Sequence, residues 1–156
     1  MSPSRTRILL AAIVLCGAAV RFQAIGFGLP HTQARPDETF VIDVALSFLR
    51  GNFWPPFYDY PRLFMYLVTA LYLAYFAWGF LVGRFASLAA FVASWPVDWP
   101  PFFLITRSLS AIAGTLAILV AYGLARRLAR NQDDERATGL VAAFFVSLAF
   151  LHVRDS

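Results

Sequence analysis

Residues 63–83 form a run of 21 positions without a single charged side chain. A bilayer crossing takes roughly 20 predominantly apolar residues, so a run of this kind is hard to place in a water-soluble domain. Three other segments resemble it. Residues 8–27 are uncharged apart from Arg21, residues 103–125 apart from Arg107, and residues 137–153 carry no acid, lysine or arginine. Of the 156 residues, 60% are hydrophobic and 14% charged, against about 45–50% and about 25% in soluble domains. The chain is therefore expected to be an all-α integral membrane protein with a handful of spans. Arg5 and Arg7 ahead of an apolar stretch also fit a cleavable leader. With the rest of the chain this apolar, an uncleaved first span is the simpler reading.

Arginine in short loops sets orientation. Arg5 and Arg7 place the N-terminus inside, and Arg126, Arg127, Arg130 and Arg136 place residues 126–136 inside as well. Four single crossings in series would leave that second loop outside. Either residues 63–83 and 85–97 cross as a hairpin, or both lie along the outer leaflet. The segment 85–97 has 13 residues, too few to cross as a helix, and 60–80 is rich in Tyr and Trp, which favour the interface. The expected organisation is thus about three true spans, 8–27, 103–125 and 137–153. Juxtamembrane helices sit in a long outer loop, 28–102, and 126–136 forms the inner loop. Arg21 and Arg107, near span ends, are expected to snorkel to the interface.

Several functions are excluded or left without a signal. The arginines are scattered and not interleaved with aromatics, which argues against nucleic-acid binding. Cys16 is the sole cysteine, so no intrachain disulfide forms. There is no glycine-rich phosphate loop, Rossmann fingerprint or nucleophile elbow. His31 stands alone, without metal-ligand spacing.

The polar groups with chemical potential flank the spans. In "RPDETFVIDVALSFLRGN", Pro36 suits the first turn of a helix. Asp37 and Glu38 meet the positive end of its dipole, and Gly51 ends it. Phe40, Val41, Val44, Ala45, Phe48 and Leu49 make an apolar stripe at helical spacing, so the helix is expected to lie on the membrane, apolar side down. Its leading acids would then sit at headgroup level, where they serve either as a plain helix start or as chemistry at the surface. "NFWPPFYDYPRLFMYL" reads as an interfacial turn or as the wall of a groove. Ser108, Ser110, Gly114 and Thr115 read as helix packing. By parity, His152, Arg154 and Asp155 share the outer face with Asp37 and Glu38. His152 and Asp155, three apart, leave a divalent metal open, although no zinc signature is present.

The order of these elements resembles the N-terminal region of the lipid-carrier-dependent glycosyltransferases of the GT-C superfamily. The nearest members are the protein O-mannosyltransferases and aminoarabinose transferases. The resemblance rests on "RPDE" after the first span, "DYPRLFMYL" downstream, the span "RSLSAIAGTLAILVAYGLARRL", a short basic inner loop and a span ending "HVRDS". It implies a membrane enzyme that moves a sugar from a polyprenyl phosphate to an acceptor hydroxyl on a protein, lipid or glycan, with inversion. Asp37 matches the family's catalytic acid, and Glu38 its usual neighbour. His152, Arg154 and Asp155 match the opening of a second acidic motif, Tyr60 belongs to the aromatic motif, and Arg35 and Arg154 are local partners for the leaving phosphate. No nucleotide cofactor is expected. The resemblance also implies a bacterial or archaeal plasma membrane with the active face outside, and a chain cut within a longer protein. Two other classes are a noncatalytic membrane subunit or scaffold and a transporter segment. A transporter predicts ionisable residues in mid-span.

Overall fold

The computed structural model describes residues 2–23, 25–29, 36–53, 61–129 and 134–149. Among these residues there are six α-helices and no strands: α1 Pro3–Gln23, α2 Pro36–Leu49, α3 Arg62–Leu81, α4 Leu88–Ala93, α5 Pro100–Leu128 and α6 Glu135–Leu148. Three of them, α1, α3 and α5, are long and apolar enough to cross a membrane. The number of such helices agrees with the sequence-based expectation, but their identity differs. The segment read as interfacial forms one continuous helix of 20 residues, about 30 Å long. The last apolar segment is helical for 14 residues up to Leu148, and its expected final residues, 150–153, lie outside the described residues.

Local signals explain the helix limits. Ser2 caps α1, accepting a hydrogen bond at Oγ from the Arg5 amide at 3.4 Å, and Pro3 occupies the first helical position. Ser87 caps α4 through the Ala90 amide. α2 stops in a Schellman arrangement. Gly51 takes φ +87°, its amide donates to Phe48 O, and the Asn52 amide donates to Ser47 O. α3 ends the same way at Gly83, with Arg84 N reaching Gly79 O at 2.7 Å. Left-handed backbone at these two sites is what glycine allows at little cost.

The chain forms two compact units, residues 1–25 with 107–156, and residues 26–106. In the first, α1 and α6 run parallel, with the C-terminal part of α5 antiparallel to both. Gly17 marks where the three meet. A Cβ there would lie 2.5 Å from Ile118 Cδ1 and 3.2 Å from Ser147 Cβ. Gly139 gives α6 a similar close approach to Tyr122 and Arg126 of α5. Small residues at such crossings let helices pack without a hydrophobic driving force.

Arg21 does not snorkel. It is 3% exposed, and its guanidinium donates to Gly17 O at 2.8 Å, Ser147 O at 3.2 Å and Val146 O at 3.2 Å. It therefore ties α1 to the C-terminal carbonyls of α6, which have no partner within their own helix. Arg107 is also buried, and its Nη1 donates to Ile25 O at 2.8 Å. A cation beside carbonyls that need donors is better placed than one stretched to the interface. The Arg107 bond also joins the two points at which residues 26–106 leave and rejoin the first unit.

In the second unit, α2 packs on α3 and α4. Its apolar face is covered by protein and is not left free to rest on lipid, contrary to the sequence-based expectation. Ile42 and Ala45 are fully buried, and Leu46 and Phe48 nearly so, alongside Met65, Val68 and Tyr72 of α3 and Phe91 and Val92 of α4. Phe48 meets Tyr66 at 5.0 Å between ring centroids. Thr69 Oγ1 donates to Ala45 O at 3.2 Å. Further along, Tyr75, Phe85, Phe91, Trp95 and Phe102 form a chain of edge-on and tilted rings. Gly79 admits the Phe85 ring against the α3 backbone.

Candidate functional site

Asp37 and Glu38 occupy the first turn of α2. Asp37 is exposed and Glu38 half-buried. They share the helix start but differ in access, with solvent reaching Asp37 more readily than Glu38. The body of α2 is fixed by its buried face, so the Asp37 backbone is held at the end of an anchored element. Placing a carboxylate on a rigid helix narrows its positional freedom more than a loop would.

One polar link steadies this helix, and a second ties α3 to the start of α5. Asp43 Oδ1 accepts from Trp95 Nε1 at 2.8 Å, joining the middle of α2 to the segment after α4. Beneath α2, the Tyr72 hydroxyl is shared with Thr106 Oγ1 at 2.7 Å and donates to Phe102 O at 3.0 Å. Glu38 and Asp43 both lie near enough to act on Tyr72 electrostatically. The second unit thus carries three acids on one helix, each in a different setting. Asp43 accepts from an indole, Glu38 is half-buried, and Asp37 is exposed.

The other residues predicted for the site, Arg35, Tyr60, His152, Arg154 and Asp155, lie outside the described residues, as does His31. The proposed meeting of the two acidic clusters is therefore neither made nor broken by the described geometry. No group of three or more His, Cys, Asp or Glu side chains suited to a metal occurs among the described residues. Sequence reasoning missed the Asp43–Trp95 and Tyr72–Thr106 pairs. Their partners are 52 and 34 residues apart, and no local spacing could have linked them.

No family model, curated protein or solved structure matches this chain. Function must be argued from the residues themselves.

Proposed function

We propose that this chain belongs to a membrane glycosyltransferase. It would transfer a sugar from a polyprenyl-phosphate donor to an acceptor hydroxyl on the outer face of the membrane, with Asp37 as the general base. The observation that carries this reading is the setting of Asp37: an exposed carboxylate on the first turn of a helix whose apolar face is buried in protein. In the reaction, the acceptor oxygen attacks the anomeric carbon from the face opposite the leaving group. The bond from that carbon to the phosphate oxygen breaks, and the polyprenyl phosphate departs with the electron pair. Asp37 takes the hydroxyl proton, a role typically worth about 10²–10⁴-fold in rate. Arg35 and Arg154 are the candidates to neutralise the leaving phosphate. The reading assigns no step to a cofactor.

The membrane placement has its own support. α1 and α6 run parallel and the 107–128 part of α5 antiparallel to them, which fits an out–in–out series for the first unit with both arginine-rich ends on one side. The hydrogen bond from Arg107 to Ile25 makes residues 26–106 an excursion that starts and finishes at one place. Such an excursion crosses the bilayer an even number of times or not at all. α4 has six residues, about 9 Å of helix, too short to supply the return crossing of a hairpin with α3. On this reading residues 26–106 stay on the outer side, and Asp37 would there meet a water-borne acceptor and a lipid-borne donor.

Deleting the gene in its native host tests the function. Membranes should accumulate polyprenyl-phosphate-linked sugar, and reintroducing the gene should return the pool to its normal size. An unchanged pool of lipid-linked sugars would rule the transferase reading out in favour of a noncatalytic subunit.

A further inference from the structure

At the arginine-rich end of the first unit, Pro3, Thr6, Arg7 and Leu10 of α1, Tyr122 and Arg126 of α5 and Arg136 of α6 enclose a pocket of about 280 Å³. We propose that this pocket binds the phosphate headgroup of an anionic membrane lipid.

Each of the three helices contributes one arginine to the lining, and none of the described lining residues is an acid. Glu135, just outside it, lies 2.6 Å from Arg126 Nη2 and 4.0 Å from Arg136 Nε. Among the lining residues three carry positive charge and none negative. Asp134, the acid before it, is exposed and is not part of the lining. Arg126 is held in place by its ion pair and by the Tyr122 ring, 5.5 Å below its guanidinium carbon. Gly139 seats α6 against Tyr122 and Arg126, which closes the inner side of the pocket.

The geometry favours a lipid over a free anion. A volume of about 280 Å³ has room for a phosphate headgroup together with the first carbons attached to it. Leu10 lies one turn deeper than Arg7 along an apolar helix and offers a wall to glycerol and acyl carbons. Basic pockets between helices at the cytoplasmic side of a membrane are a recognised seat for anionic headgroups. The inference depends on the membrane placement of α1, α5 and α6. It does not depend on Asp37 or on glycosyl transfer.

The test is native mass spectrometry of the full chain in neutral detergent, offered equal amounts of dioleoylphosphatidylglycerol and dioleoylphosphatidylcholine. The wild-type protein should retain the anionic lipid about fivefold more or better, since a basic residue near an anionic lipid surface is worth about 1 kcal/mol, or roughly fivefold in binding. Arg7→Gln with Arg136→Gln should bring the two lipids close to parity, whereas Arg127→Gln, which alters an exposed arginine outside the lining, should leave the preference intact. If circular dichroism shows the double variant unfolded, Arg7→Gln alone carries the comparison, because Arg7 is exposed. Equal retention of both lipids by the wild type overturns the proposal. So does an equal loss of preference in Arg127→Gln, which would reduce the effect to general surface charge. Millimolar inorganic phosphate that removes the preference would assign the pocket to a free anion, and would likewise overturn it.

Discussion

Replacing Gly17 with alanine tests the three-helix packing of the first unit. The added Cβ would stand 2.5 Å from Ile118 Cδ1, 3.2 Å from Arg21 Nη1 and 3.2 Å from Ser147 Cβ. Ile118 and Ser147 are both essentially buried, so neither can swing into open space. Overpacking of this kind costs about 1–3 kcal/mol. Alanine recovers about 0.8–1 kcal/mol through its better helix propensity. The expected net loss is therefore about 1 kcal/mol. Ile118→Val removes the atom nearest the new methyl and by itself costs about 0.5–1.5 kcal/mol. If the packing is as described, the double variant should be about 1 kcal/mol more stable than the sum of the single effects predicts, a coupling in the range seen for residues in contact. The assay is reversible unfolding of the purified protein in mixed micelles by increasing the fraction of denaturing detergent, followed by helical circular dichroism. Strict additivity of the two substitutions would refute the contact between α1 and α5, and with it the antiparallel arrangement.

Two other outcomes are expected from the same structure. Phe48 is 2% exposed, so Phe48→Ala should destabilise the protein by about 3–5 kcal/mol, measured by the same unfolding assay; a loss under 1 kcal/mol would mean that α2 does not pack on α3. In a Cys16→Ser background, a cysteine at Gly26 should react with a membrane-impermeant thiol reagent on intact cells, while a cysteine at Ala129 should react only after permeabilisation, and the reverse pattern would overturn the orientation.

Much of α2 is legible in the sequence. Pro36, the two acids and Gly51 mark both ends by local chemistry, and local chemistry is what sequence records best. The destination of its apolar stripe is not legible, because a stripe facing lipid and a stripe facing α3 have the same period. Arg21 and Arg107 mislead for a similar reason. An arginine near the end of an apolar run looks alike whether it reaches outward or turns inward to carbonyls. One signal is present for Arg21: Gly17, one turn earlier, clears the side of the helix on which the guanidinium lies. The Trp95–Asp43 link leaves no such mark, since it depends on how a turn after α4 returns to α2. Hydropathy marks four apolar runs, of which three form long apolar helices, but it does not show that α3 continues through its Tyr- and Trp-rich sequence. For the candidate site, sequence points to Asp37 and Glu38 together. The structure separates them by exposure, which periodicity cannot do for two adjacent residues in the first turn of a helix.

The central claim is that Asp37 accepts a proton during sugar transfer, and Asp37→Asn tests it most directly. The substitution nearly preserves shape, and its effect on the helix dipole is typically about 0.3–1 kcal/mol, so membrane insertion and abundance should not change. Transfer from a labelled polyprenyl-phosphate sugar, measured in membranes of the native host expressing each variant from the gene's own locus, should fall about 10²-fold or more. Glu38→Gln, altering the half-buried neighbour, should do less damage. Near-normal transfer by Asp37→Asn at normal abundance would contradict the account and leave Asp37 with no role beyond starting α2.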